Sequence, residues 1–102
     1  MAIVEVTIVP LGTGDTSLSS YVADCHKVLM ESGLKHQLTS MGTIIEGELD
    51  KVLEVVMKMH EIPFDNQAKR VSTSIKIDDR RDKTSTIEKK LESVIDKLGI
   101  EE

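Results

Sequence analysis

Two stretches of the chain alternate between apolar and polar residues, one near the start and one after the middle. They cover residues 2–9 and residues 70–78. A period of two predicts β-strands with one face in a core. The inward sets are Val4, Val6 and Ile8 in the first strand and Val71, Thr73, Ile75 and Ile77 in the last.

Three segments between and after these strands have helical periodicity. The first follows the cap residues at 15–17 and ends at Gly33, and the second begins at Glu48 and ends at Pro63. The third follows a capping box at residues 85–88 and closes at Gly99. The apolar stripes comprise Leu18, Val22, Cys25, Val28 and Leu29, then Leu49, Val52, Leu53, Val56 and Met59, then Ile87, Leu91, Val94, Ile95 and Leu98.

A hairpin occupies the middle of the chain. Residues 35–40 and 43–46 form two short strands, and Met41-Gly42 fits a tight turn with the glycine at positive φ. The order is therefore β-α-β-β-α-β-α. It predicts an α+β fold over residues 1–102, namely a ferredoxin-like βαββαβ sandwich with a four-stranded antiparallel sheet and an extra C-terminal helix.

Such a sandwich leaves one face of the sheet without helices. We expect that face to carry Ile3, Glu5, Thr7 and Val9 from the first strand and Ser72, Ser74 and Lys76 from the last. The face is partly apolar, and a third helix remains to be placed. Both features favour a homo-oligomer over a monomer.

Charge and composition exclude several classes of partner. The net charge of −5 disfavours nucleic acid and anionic membrane surfaces, and the expected open face has no aromatic residue for stacking on bases. The N-terminus does not resemble a signal peptide, and no apolar run is long enough to span a bilayer. One cysteine excludes an internal disulfide and is compatible with a cytoplasmic location.

The residues predict neither a metal site nor an enzyme. His26, His36 and His60 lack the spacing of a zinc pair and are interpreted as surface or edge residues. Cys25 falls on an apolar stripe, where a cysteine is usually inert, and His26 points elsewhere around the helix. We therefore expect no cofactor and no metal.

Two kinds of binding site stay open from the residue chemistry. Anions could bind at residues 12–17, before the first helix, or at residues 80–83, before the last, although turn and cap chemistry explains both loops. A small ligand could bind near the hairpin, where Thr39, Thr43 and Glu46 cluster. Glu46 would suit an amino-bearing or cationic group, or it could simply end a strand in solvent.

Three runs of the sequence resemble the thiamine-binding protein family (YkoF-like domains). They read VEVTIVPLGTGDTSLSSYV, ESGLKHQLTSMGTIIEGELDKVL and RVSTSIKIDDRRDK. The resemblance implies ferredoxin-like domains that assemble into dimers or tetramers, some of which bind thiamine or its hydroxymethylpyrimidine part. The ligand-binding residues implied by the match are Ser17, Ser20, Thr39, Thr43, Glu46 and Arg70.

The resulting hypothesis is a cytoplasmic, oligomeric domain that binds a thiamine-like small molecule without turning it over. Threonine and serine hydroxyls would hold the ligand, and Glu46 would recognise an aminopyrimidine edge or a positive charge. The alternative is a regulatory module that binds an amino acid or a small anion at subunit interfaces.

Overall fold

The computed structural model describes residues 1–12, 19–82 and 86–99, and it confirms the predicted fold. Four strands form one antiparallel sheet, and the helices follow the predicted order. The elements are β1 (Ala2–Leu11), α1 (Ser19–Ser32), β2 (Lys35–Leu38), β3 (Thr43–Gly47), α2 (Leu49–Asp65), β4 (Arg70–Asp79) and α3 (Ile87–Leu98).

The sheet has the strand order β2-β3-β1-β4, so β1 lies inside it and β4 forms one edge. β1 pairs with β4 along its whole length, from Ala2 opposite Asp79 to Leu11 opposite Arg70. It pairs with β3 only as far as Val6 opposite Thr43. The second half of β1 therefore has a strand on one side only.

The core lies between the sheet and the helices α1 and α2. Val4 and Val6 of β1 are buried, as the alternation predicts, and Ile8 packs against the same cluster. Cys25 and Leu29 are the buried members of the α1 stripe, whereas Val22 is 44% exposed. The predicted inward face of β1 is thus confirmed, while the α1 stripe is buried only in its second half.

Helix α2 continues through Pro63 and ends at Asp65. The prediction that Pro63 ends this helix is wrong by two residues. The proline ring is fully buried, and its carbonyl accepts a hydrogen bond from the Ala68 N–H at 2.9 Å. Packing of the ring offsets the hydrogen bond that proline cannot donate to the preceding turn. The connection between α2 and β4 therefore consists of residues 66–69.

Helix α3 ends as predicted, begins one residue later than the predicted capping box implies, and is mostly not buried. The Thr86 side chain accepts from the Lys89 N–H at 3.1 Å, and Gly99 closes the helix in the left-handed conformation. The first residue of the predicted capping box, Ser85, lies outside the described residues. Only the first turn of α3 is anchored. Leu91, Val94 and Leu98 are 53%, 56% and 65% exposed, so the burial that the apolar stripe of α3 predicts is wrong for these three residues.

The projecting helix gives the molecule an elongated outline of 46 × 28 × 21 Å. None of the helices in the described ranges is long and apolar enough to cross a membrane.

Candidate ligand-binding site

A cavity of about 220 Å³ lies beside the second half of β1, beyond the last residue pair that β1 forms with β3. Its floor is the second half of β1, from Val6 to Val9, and one wall is the start of α1 at Tyr21 and Val22. The opposite wall is the hairpin between β2 and β3, residues 38–43. The cavity therefore exists because the pairing of β1 with β3 stops at the hairpin while β1 continues, paired with β4 alone.

The hairpin is held in shape by Thr39. Its Oγ1 donates to the Gly42 carbonyl at 2.9 Å and accepts from the N–H groups of Met41 and Gly42 at 3.2 and 3.1 Å. The Thr39 N–H also donates to the Gly42 carbonyl at 2.8 Å. Thr39 lines the cavity, but its hydroxyl already has three partners within the turn.

Gly42 is required for a reason other than the predicted one. The prediction of a two-residue turn with Gly42 at positive φ is wrong, because the loop spans residues 39–42 and Gly42 is not among the positive-φ glycines. A Cβ at this position would lie 2.8 Å from Thr7 Oγ1 and 2.9 Å from the Val6 carbonyl oxygen. Glycine lets the hairpin approach β1 closely enough to close the cavity.

Two polar side chains of the cavity face a possible ligand. Thr43 is buried, with 9% of its surface exposed, and lines the cavity. His26 Nδ1 is buried and lacks a hydrogen-bond partner among the described residues. Buried polar atoms are rarely left unsatisfied, because each costs about 1–3 kcal/mol. His26 Nδ1 is therefore a candidate for contact with a ligand, and the Thr43 hydroxyl lies at the same cavity.

The remaining lining is apolar and carries no formal charge. Ile8, Cys25 and Met59 contribute to it from three different elements. Among the described lining residues there is no Asp, Glu, Lys or Arg. Such a lining favours a neutral ligand over an ion.

The Cys25 thiol remains protonated at neutral pH. Burial, and secondarily the nearby Asp24 carboxylate, raises the pKa of the Cys25 thiol to about 11. The Sγ atom lies 3.6 Å from the Met59 carbonyl oxygen, to which it donates. The thiolate is the nucleophilic form, so Cys25 contributes shape to the cavity rather than a nucleophile.

We expect Cys25 to react with iodoacetamide about a hundredfold more slowly in the folded chain than in the unfolded chain, because burial raises the pKa of the Cys25 thiol from its ordinary value of 9.0 to about 11 and so lowers the fraction of thiolate. The rate should rise with pH up to about pH 11 in the folded chain. Alkylation followed by mass spectrometry from pH 7 to 10, with and without denaturant, checks this. Equal rates in both states would show that the thiol is not protected.

Glu46 lies outside the cavity, on the face of the sheet opposite to α1 and α2, next to the start of α3. Only 5% of it is exposed. Its Oε2 accepts from the Ile87 N–H, at the start of α3, at 3.5 Å and lies 3.9 Å from Lys35 Nζ. Lys35 also pairs with Glu88, and hydrogen bonding from Lys35 lowers the pKa of Glu88. In this position Glu46 anchors α3 to the sheet.

The other predicted ligand residues are spread over the chain. Arg70 starts β4 opposite Leu11, on the far side of β1, and does not line the cavity. Ser17 lies outside the described residues, and Ser20 belongs to the first turn of α1. The structure therefore brings together Thr39 and Thr43 and separates Glu46 and Arg70 from them.

Of the two loops considered as anion sites, the structure describes mainly the one that begins at Arg80. Arg80 donates to Asp82 at 2.7 Å, and Arg81 to Asp79 at 2.9 Å, so both guanidinium groups are engaged by neighbouring carboxylates. Lys83, and most of the loop at residues 12–17, lie outside the described residues. No group of three or more metal-ligating side chains is assembled in the described ranges.

Sequence reasoning missed His26 and Thr7 as cavity residues. The His26 ring is half-buried and meets the His36 ring edge to face, with 5.0 Å between the centroids. The interpretation of His26 as a surface residue overlooked that α1 starts beside a gap in the sheet. Thr7 was expected on the open face, and its Oγ1 donates to the Met41 carbonyl at 3.1 Å, across the cavity rim.

Comparisons with known proteins agree with this architecture. The sequence profile of a family described as thiamine-binding protein matches residues 4–95. The UPF0045 protein YqgV of Bacillus subtilis is 52% identical over 98 residues, which cover 92% of this chain and 94% of that protein.

Solved structures show the same fold. A hypothetical protein from Methanocaldococcus jannaschii superposes with a TM-score of 0.82 at 41% identity, covering 91% of this chain and 94% of that one. A candidate thiamine biosynthesis/salvage protein from Thermotoga maritima superposes with a TM-score of 0.75, covering 91% of this chain and 97% of that one. At 22% identity, this second likeness concerns the fold alone.

Proposed function

The chain belongs to the thiamine-binding protein family, and from that premise we propose that it binds the aminopyrimidine part of thiamine, or a closely related neutral heterocycle, without transforming it. The observation that carries the proposal is the cavity at the end of the β1–β3 ladder. It combines apolar walls with the Thr43 hydroxyl and with the buried His26 Nδ1, which lacks a hydrogen-bond partner within the described residues.

The backbone of β1 supports the recognition of a heterocycle. From Thr7 onward, the edge of β1 that faces the hairpin has no strand partner within the described residues. Backbone N–H and C=O groups on such an edge are fixed in position and alternate as donors and acceptors. A pyrimidine edge with an amino group and a ring nitrogen presents a complementary alternation, and the Thr43 hydroxyl could add one further bond.

The size of the cavity favours a fragment over the whole vitamin. Drug-sized ligands occupy pockets of about 300–1,000 Å³, and this cavity measures about 220 Å³. The absence of a charged side chain from the described lining leaves a cationic thiazolium or a phosphate without a partner there. We infer that the pyrimidine ring enters and that any further group points outward.

Glu46 is assigned a different role from the one first expected. Its carboxylate faces α3 on the other side of the sheet, so it would support the fold rather than touch the pyrimidine. Arg70 is likewise separated from the cavity by β1. Ser17 and Ser20 remain proposed ligand contacts, because they precede the part of α1 that lines the cavity.

The proposal also includes a cytoplasmic location, assembly into an oligomer and a role without catalysis. A cytoplasmic location agrees with the single, protonated cysteine thiol. Assembly into a dimer or tetramer is supported by the exposed apolar residues of α3, which a monomer would leave in water. A role without catalysis agrees with the lack of a thiolate in the cavity.

Calorimetric titration tests the ligand directly. Hydroxymethylpyrimidine should bind, and Thr43→Val should weaken binding by about tenfold, since a lost hydrogen bond in a buried site is worth about 1–1.5 kcal/mol. Ser72→Ala, on β4 and away from the cavity, should leave the affinity unchanged. Absence of heat with both hydroxymethylpyrimidine and thiamine, or equal affinity of the Thr43→Val chain, would contradict the proposal.

A further inference from the structure

The hydrogen bonds of the sheet fix the direction in which the backbone groups of its strands point. In an antiparallel ladder the N–H and C=O of one residue point to the same side, and the side alternates from residue to residue. Leu38 of β2 stands opposite Thr43 of β3, and one step further the Thr39 N–H donates to the Gly42 carbonyl at 2.8 Å. The backbone of Gly42 therefore faces β2, and that of Thr43 faces β1.

The same alternation places the backbone groups of Ile8 on the free side of β1. Val6 stands opposite Thr43, so the even-numbered residues of β1 turn their N–H and C=O toward β3. The register between β1 and β4 runs without interruption to Leu11, so the alternation is kept beyond Val6. Ile8 is the next even-numbered residue, and in the described part of the chain the β3 ladder has already ended. Its N–H and C=O therefore point, side by side, into the gap that the cavity occupies.

Two further observations support this direction. A Cβ on Gly42 would lie 2.9 Å from the Val6 carbonyl oxygen, so this carbonyl points toward the hairpin. Pro10, the even-numbered residue after Ile8, lies inside β1 opposite Val71. Proline has no N–H and within a sheet is confined mainly to positions where the missing N–H would face away from a paired strand. Its place in β1 agrees with a free edge on the even-numbered side.

This free edge is too short for another strand. Between Val6 and the end of β1 it comprises the backbone of Ile8 and Pro10, hence one N–H donor and two carbonyl acceptors. A peptide that adds to a sheet uses main-chain donors and acceptors over several residues. A small ring needs only the donor and acceptor of Ile8. The edge therefore suits a small molecule better than an added strand.

We propose that the main chain of Ile8 selects the ligand: its N–H donates to a ring nitrogen, and its C=O accepts from an amino group on the neighbouring ring carbon. This assignment rests on the function proposed above and narrows the ligand class to flat heterocycles with an amidine edge, –N=C–NH2. Such an edge presents an acceptor beside a donor in one plane, which complements the donor and acceptor of one extended residue. The ring then continues the sheet where β3 has ended.

The walls of the cavity agree with a ring in the plane of the sheet. One face of the ring would lie against α1 at Tyr21 and Cys25, because Cys25 and Ile8 belong to the same apolar cluster on the helix side. The other face would meet the hairpin at Met41, whose carbonyl accepts from the Thr7 hydroxyl. Apolar contact with both faces favours any flat ring, so the backbone of Ile8 supplies the selectivity among rings.

Amide hydrogen exchange on the full chain tests the free edge before any ligand is added. The N–H groups of Thr7 and Val9 face β4 and should be protected, whereas the Ile8 N–H should exchange at least about tenfold faster than either. Added hydroxymethylpyrimidine should protect the Ile8 N–H and shift its proton resonance downfield. An Ile8 N–H as protected as its neighbours in the ligand-free chain, or one that bound ligand leaves unchanged, would overturn the assignment.

Ligand analogues test the two hydrogen bonds separately by calorimetry. Replacing the ring nitrogen with C–H, or the amino group with hydrogen, should each weaken binding to the unaltered chain by about tenfold. Ile8→Pro removes the donor, so the ring-nitrogen replacement should have no further effect in that chain. Ile8→Ala is the matched variant, because it shortens the side chain but keeps the N–H, and the tenfold effect should persist.

Equal affinity of either analogue and hydroxymethylpyrimidine for the unaltered chain would overturn the assignment, as would a tenfold ring-nitrogen effect that persists in Ile8→Pro. Hydrogen exchange and the analogues need no variant, so they decide the case even if Ile8→Pro does not fold. Hydroxymethylpyrimidine that binds without changing the Ile8 N–H would contradict this assignment alone and leave the proposed function standing. Absence of binding by hydroxymethylpyrimidine, thiamine and both analogues would contradict both.

Discussion

Replacing Gly42 with alanine should lower the free energy of unfolding by roughly 2–3 kcal/mol, the scale of an overpacked site. The new Cβ would lie 2.9 Å from the Val6 carbonyl oxygen, which belongs to the backbone of β1 and cannot rotate away. The hairpin would have to move off β1. For a domain of this size, the melting temperature should fall by roughly 10–20 °C.

The same change should also reduce ligand binding, because residues 38–43 form one wall of the cavity. Gly33→Ala is a suitable control. Gly33 has φ +73 and open space around its Cβ position, so its cost of about 1 kcal/mol comes from backbone strain alone. Thermal unfolding of both variants, together with hydroxymethylpyrimidine titration, separates the two effects. A Gly42→Ala chain as stable as the Gly33→Ala chain would show that the hairpin is not held against β1.

Replacing Glu46 with leucine should destabilise the fold by about 1–3 kcal/mol, since a buried acceptor for a charged and a backbone donor is lost. Ile87 N–H and Lys35 would lose their shared carboxylate, and the first turn of α3 would no longer be anchored. We expect trypsin to cleave α3 faster at Lys89 and Lys90. Unfolding in urea and timed proteolysis measure the two consequences.

Glu46→Gln is the matched variant, because it keeps the size and an acceptor oxygen but loses the charge. It should cost less than the leucine variant and leave the affinity for hydroxymethylpyrimidine within about twofold of the original, the scatter expected for a site without a direct contact. A large loss of affinity in the glutamine variant, with α3 still protected from trypsin, would return Glu46 to the binding site.

The elements were predictable from sequence where local chemistry decides them. The alternation at Val4 and Val6 predicted both the strand and its inward face. Gly33 and Gly99 predicted the ends of their helices, and both adopt the left-handed conformation. These features depend on residues within a few positions of one another, which is the range that a sequence pattern reports.

The errors arose where distant segments meet. Gly42 was interpreted as a turn glycine, but its constraint comes from β1, more than 30 positions away. The prediction that Glu46 contacts a ligand stays a prediction, but alternation along β3 places its side chain on the face opposite to that of Thr43 and Ile45, next to the start of α3. The apolar stripe of α3 predicted that one face of the helix is buried, but it could not indicate which surface covers that face.

The elongated outline bears on how the mass of this protein in solution should be measured. A typical compact chain of about 100 residues has a radius of gyration near 13 Å, whereas this one has 15.3 Å. A projecting helix increases friction during diffusion, so a single chain of 11.3 kDa should elute from a sizing column ahead of a compact protein of equal mass. An elution volume that suggests a dimer is therefore weak evidence of assembly. The molecular mass should be measured by a method that does not assume a particle shape.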